Sequence, residues 1–261
     1  MIALKGDRAC EAGGARSKMR TILVPLTAGL EGEPVLDAAL ALARRLNGHI
    51  RALFILPDPH AVLAFLPDVI LAAGVTREVI ERETQEAAAE EKERFIDWRT
   101  RHNVPEAADG RLYTCSATWA EQIGEFEAVV TRWGRLSDLI VVPSPAPGSV
   151  HTQRYFDAAV FGCGRPTLVV SDKTHFDMAD RVMIAWNGSL EASRAVFGAM
   201  PLLHLASRVS IFAAPQYDIE DVNLADLAEY LSLGRTPWSV RKTSMPPARP
   251  WFPPHTSNKP H

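Results

Sequence analysis

Thr21-Ile-Leu-Val-Pro-Leu26 is a short, unbroken apolar run between Arg20 and a loop holding Gly29 and Gly32. A run of this length without polar alternation is the pattern of a strand buried on both faces of a parallel sheet. Pro25 has no N–H to give to a ladder, which places it at the strand's end. From Pro34 to Leu46 the apolar residues Val35, Leu36, Ala39, Leu42, Ala43 and Leu46 recur at helical spacing, and Asn47-Gly48 stops the helix. Ile50 to Leu56 is again a continuous apolar strand, closed by Pro57-Asp-Pro59. Short buried strands alternating with helices specify right-handed βαβ units.

The same alternation continues along the chain. Ala61 to Val75, broken by Pro67 and Asp68, reads as packing surface rather than a membrane span. Thr76 to Asn103 reads as one long helix, with Glu81, Glu83, Glu86, Glu90 and Glu91 on one side. Ile80, Ala87, Phe95 and Trp98 lie on the other. Arg111 to Cys115 is assigned as the third strand. Thr118-Trp-Ala-Glu121 then has the spacing of a capping box, opening a helix that runs to about Trp133. Asp138-Leu-Ile-Val-Val-Pro143 is the fourth strand, Tyr155 to Phe161 the fourth helix, and Pro166-Thr-Leu-Val-Val170 the fifth strand. The expected fold class is therefore α/β, a flavodoxin-like (Rossmann-like) doubly wound parallel sheet of five strands over residues 19–173.

A second unit begins and stops short. Arg181-Val-Met-Ile-Ala-Trp-Asn-Gly-Ser189 repeats the first strand and its loop, with Leu30-Glu31 matching Leu190-Glu191, Ala39 matching Ala199, and Leu42 matching Leu202. Arg208 to Pro215 follows as a second strand, Asp221 to Leu233 as a helix, and Trp238 to Thr243 as a third strand. A repeat of this period signals duplication of a whole domain, and residues 180–243 hold a partial second copy. Residues 244–261 contain six prolines and almost no aliphatic side chain, a composition expected to stay disordered. Without a fourth and fifth strand, the strand Val182–Ala185 keeps one unpaired edge, an aggregation template unless covered. The expectation is reduced stability or an obligate partner, or else a shifted reading frame in the source gene. Residues 1–18 read as a disordered leader, with Met19 as an alternative start.

Composition narrows the function. The 261 residues are 47% hydrophobic and 23% charged with a net charge of −3, so neither nucleic acid nor an anionic membrane is indicated as a partner. No apolar stretch approaches the roughly 20 residues of a spanning helix, and no signal peptide is seen. Three distant cysteines, Cys10, Cys115 and Cys163, fit a reduced, cytoplasmic compartment. The eight histidines lack the i, i+3 or i, i+4 spacing of a helical metal site, so no metal is expected. Neither a G-x-S-x-G elbow nor a Walker A lysine is present, and no catalytic constellation is found.

The strand Ile22-Leu-Val-Pro-Leu26, its partner Val182-Met-Ile-Ala-Trp-Asn-Gly-Ser189, and Asp138–Val142 followed by a helix and Pro166–Val170 resemble the universal stress protein family, in its tandem two-domain form. The resemblance implies a flavodoxin-like sandwich, a cytoplasmic location, and dimers or pseudo-dimers formed through the fifth strands; with no catalytic constellation found, a non-enzymatic stress-response role is expected. It also implies a division into ATP-binding and non-binding classes. The binding class carries an acid after the first strand, where this chain has Thr27 and Asn187. It also carries G-x2-G-x9-G-[ST] after the fourth strand, where this chain reads Pro143-Ser-Pro-Ala-Pro-Gly148-Ser-Val-His-Thr152.

Three prolines remove amide donors where phosphate would need them. The expectation is therefore the non-ATP-binding class, with no cofactor and a homodimer or other protein as partner. The alternative is an adenine-nucleotide-binding α/β protein or weak nucleotide hydrolase. The candidate ligand contacts are Thr27, Ser144, Gly148, Ser149, Asn187, Gly188 and Ser189. Asn187-Gly188-Ser189 reads first as a turn and helix cap, with a small-ligand contact as the second reading.

Overall fold

A computed structural model describes residues 19–28, 32–67, 76–107, 115–171, 180–213, 224–233 and 238–240. The chain forms two compact units, Met1–Phe176 and Asp177–His261. In the first, Thr21–Leu26 forms β1, Glu33–Leu46 α1, His49–Leu56 β2, Pro59–Phe65 α2, Arg77–Arg101 α3 and Ser116–Ile123 β3. Phe126–Gly134 forms α4, Leu139–Pro143 β4, Val150–Asp157 α5 and Thr167–Val170 β5. All pairings are parallel, in the order β3-β2-β1-β4-β5. This is the flavodoxin-like strand order, reversing between β1 and β4.

Both sheet faces are covered, as the unbroken apolar strands require. On one face, α4 and α5 bring Phe126, Val129, Val130, Tyr155, Ala158 and Ala159 against Leu23, Leu53, Ile140 and Val142. On the other, α3 lies over β2 and β3, where Trp119 stacks on Phe54 and meets Phe95, each with ring centroids 5.5 Å apart. β1 is registered against β2 along its whole length, but against β4 at Ile22 and Leu23. Pro25 has no N–H with which to extend that second ladder.

The start of β1 is fixed by one carboxylate. Asp138 Oδ2 accepts from the Arg20 and Thr21 amides and from Thr21 Oγ1, each at 2.9 Å. Burial alone would raise this carboxyl's pKa. The two amides, the Thr21 hydroxyl and the Arg165 guanidinium together hold it below the usual carboxylate range.

Several sequence assignments are corrected here. The third strand is Ser116–Ile123 instead of Arg111–Cys115; Cys115 precedes the strand, and 111–114 lie outside the described residues. Thr118–Glu121 is accordingly mid-strand and caps nothing. His49 shows why, since its ring nitrogens meet Ser116 Oγ at 3.1 Å and Thr118 Oγ1 at 2.9 Å across the β2–β3 pair. The next helix starts at Phe126, where Glu125 accepts from the Ala128 amide at 2.8 Å as its cap.

α2, capped by Asp58, was not assigned in the sequence, where Ala61 to Val75 reads as packing surface; 68–75 fall outside the described residues. On α3, Ala88 is buried in place of Ala87. α5 begins at Val150, earlier than Tyr155, because Ser149 caps it, and it continues as a π-helical turn over Ala158–Gly162. That turn presses Cys163 against Gly134, where a Cβ would collide with the Cys163 sulfur.

In the second unit, Arg181–Trp186 forms β6, Leu190–Leu203 α6, Arg208–Ala213 β7, Leu224–Leu233 α7 and Trp238–Val240 β8. The parallel sheet runs β6-β7-β8, and among the described residues it has no fourth or fifth strand. α6 and α7 pack against Ile184, Trp186, Val209 and Ile211 on one face. On the other face Met183, the counterpart of Leu23, is 60% exposed. The second copy is thus partial, and β6 has β7 as its one registered neighbour. Residues 1–18 and 244–261 lie outside the described residues.

Asp138→Asn should cost roughly 1 kcal/mol, because a partly buried set of three donors loses its charged acceptor. The wild-type carboxyl has a folded pKa below its unfolded one. Its contribution is therefore present above the ordinary carboxylate pKa of about 4 and is lost as pH falls through the folded value. Urea melts of both proteins across acidic pH check this; the difference between them should shrink as the medium acidifies.

Candidate functional site

In an open α/β sheet the ligand crevice lies at the carboxyl ends of the strands, where the order reverses. Here that place is the end of β1 beside the end of β4. Thr27 follows β1, and its Oγ1 lies 2.8 Å from the Tyr155 hydroxyl reaching over from α5. Tyr155 is 1% exposed and packs on Phe126 with ring centroids 4.6 Å apart. Burial, against a smaller opposing effect of the Thr27 hydrogen bond, pushes its phenol pKa far above the usual range. The Thr27 hydroxyl, a candidate ligand contact, is thus engaged with a buried, protonated tyrosine.

The loop after β4 has few amides to offer. The Ser144 amide donates to the Val170 carbonyl at 2.7 Å, within the pairing to β5. The Ala146 amide donates to Thr152 Oγ1 at 2.9 Å, and the Ser149 amide to the Ala146 carbonyl at 3.0 Å. Ser149 Oγ in turn accepts from the Thr152 amide at 3.3 Å, capping α5. Positions 143, 145 and 147 are prolines. Gly148, Val150 and His151 retain free amides, and Gly148 turns the chain at φ +80°. A phosphate cradle needs several adjacent amides converging on one point; this loop has instead closed on itself.

The three remaining candidates lie in the second unit. Asn187 Oδ1 accepts from the Ser189 amide at 3.1 Å, Gly188 sits at φ +73°, and Ser189 Oγ accepts from the Ala192 amide at 3.1 Å. Each therefore serves a turn or the start of α6. In the first unit Thr27 follows β1, and Ser144, Gly148 and Ser149 follow β4.

One cavity was not legible in the sequence. A cleft of about 720 Å³ opens between the first turns of α1 and the later turns of α3, with Leu26, Leu36, Phe95 and Trp98 in its lining. Glu33 and Asp37 stand along it, and His102 follows the end of α3 nearby. The i, i+4 spacing of Glu33 and Asp37 is visible in the sequence, but the approach of His102 is a tertiary fact.

No protein-family model and no curated protein matches the chain. Solved structures do. A universal stress protein from Archaeoglobus fulgidus is 15% identical over 86% of this chain and 77% of its own, with a TM-score of 0.63. The universal stress protein UspA from Lactobacillus plantarum is 15% identical over 59% of this chain and 99% of its own, at 0.43. A protein of that family from Burkholderia pseudomallei is 22% identical over 59% and 98%, at 0.30. At such identities the likeness establishes the fold, and the Archaeoglobus structure carries it. The fold is the flavodoxin-like α/β sandwich of the universal stress proteins. Among the described residues no helix is long and apolar enough to cross a membrane.

Tyr155→Phe removes the phenol from the Thr27 contact while keeping the ring on Phe126. It should cost about 1 kcal/mol, with Thr27→Ala nearly silent in the Tyr155→Phe background. Chemical denaturation of the two single variants and the double variant measures that coupling.

Proposed function

We propose that the chain is a universal-stress-type protein of the class that holds no ATP. On this reading it is non-enzymatic and cytoplasmic, and acts through dimerisation or a protein partner. The observation that supports the reading is the closed state of the β1–β4 crevice. Thr27, which stands where an acid would contact nucleotide, is hydrogen-bonded to Tyr155. The loop that would cradle phosphates lacks three amides to proline and directs four more into its own structure and β5. Beyond the amides of Gly148, Val150 and His151, an anion there would have to break internal hydrogen bonds before forming its own.

The partner half of the reading draws on the second unit, where among the described residues β6 pairs along one edge and Met183 stands exposed. We take residues 19–173 as the complete domain and 180–243 as a partial copy whose open strand favours association.

Calorimetric titration of the full chain with ATP, ADP and AMP, with and without magnesium, should show no saturable binding in the micromolar range. Light scattering on the same sample should give a mass above the monomer. Micromolar nucleotide binding would overturn the assignment to the non-binding class. A strictly monomeric mass at micromolar protein would remove dimerisation from it.

A further inference from the structure

Glu33 and Asp37 sit one helical turn apart on α1, on the same side. With the imidazole of His102 they bring one ligating atom each to within 4.8 Å of one another. We propose that Glu33, Asp37 and His102 form a binding site for a divalent first-row transition-metal ion. The ion would clamp the first turn of α1 to the end of α3 and leave coordination positions open toward the cleft.

The geometry is close to what such an ion needs. Tetrahedral ligands at bonds near 2.0–2.1 Å stand about 3.4 Å apart. His102 Nε2 and Asp37 Oδ1 are separated by 3.4 Å. Glu33 completes the set by a change of rotamer, which its exposed side chain permits.

The two fixed ligands are held from behind. Asp37 Oδ1 accepts from the Trp98 indole N–H at 2.8 Å, and Trp98 itself is 1% exposed. The His102 carbonyl accepts from the Arg44 guanidinium at 2.8 Å, and its ring lies against Trp98 at 5.5 Å between centroids. The buried Trp98 thus orients the carboxylate by a hydrogen bond and the imidazole by ring contact, the kind of outer support metal ligands have, while the exposed Arg44 ties down the His102 backbone. Two carboxylates and one imidazole match a divalent transition ion better than magnesium or calcium, which favour all-oxygen shells. They also neutralise its charge.

The competitor is Arg101, whose Nη1 donates to Glu33 Oε1 at 2.8 Å. That hydrogen bond, opposed by modest burial, keeps the Glu33 carboxyl below its usual pKa and so ionised. Both side chains of the pair are more than half exposed, and ion pairs so placed are weak. An incoming ion therefore displaces a guanidinium that is loosely held. This gives the site a signature a generic acidic surface lacks: removing Arg101 strengthens it.

The test is titration of the full, chelator-stripped chain with Zn²⁺, followed by Co²⁺ for its absorption spectrum. We expect one ion per chain, weakened at least tenfold by Asp37→Asn and by His102→Gln, and strengthened by Arg101→Gln. The Co²⁺ form should show ligand-field bands without thiolate charge transfer. Melting of each variant without metal verifies its fold. Absence of one-to-one binding would overturn the proposal. So would binding indifferent to Asp37→Asn and His102→Gln, thiolate bands from a cysteine, or an unchanged or weaker Arg101→Gln site. None of these outcomes bears on the nucleotide titration.

Discussion

A strand that is apolar on both faces has to be hydrogen-bonded along both edges and covered above and below, and β1 meets all four demands. β2 and β4 flank it, α4 and α5 bury Leu23 on one face, and Asp138 ties its first amides to the start of β4. The reversal of strand order at β1 is also what creates a crevice at its carboxyl end. The same residues that satisfy β1 therefore decide what the crevice can accept. Tyr155, needed to complete the core beneath α5, ends its reach on Thr27.

The second unit shows the same demands only partly met. β6 repeats the apolar pattern of β1, yet among the described residues one edge has no registered neighbour and Met183 stands exposed where Leu23 is fully buried. Helices cover one face, through Val196, Leu203, Leu227 and Leu231. In the first unit the residues that cover Leu23 lie between Phe126 and Cys163. Nothing equivalent follows β8 among the described residues.

The buried strands β1, β2 and β4 were legible because burial on both faces leaves an unbroken apolar run, and the edge strand β5 was legible from a similar run although Val169 is exposed. β3 was not. It is an edge strand whose Thr118 and Glu121 read as the two ends of a capping box, while Trp119 finds its partners, Phe54 and Phe95, only after folding. The start of α4 was missed because its cap is Glu125, outside the short polar side chains that favour that position. At the site, the prolines between Pro143 and Pro147 announced a shortage of amides. The tyrosine that engages Thr27 could not be foreseen, since 128 residues separate the pair. The same holds for His102 beside Asp37.

The dependence on β1 is most directly tested by native-state hydrogen exchange, residue by residue. Amides of Ile22, Leu23 and Val24 should exchange only through global unfolding of their unit, since both edges and both faces must open first. Amides of Val182, Met183 and Ile184, at the corresponding positions of β6, should exchange through smaller openings at lower free energy. Equal protection of the two strands, or faster exchange in β1, would contradict the account.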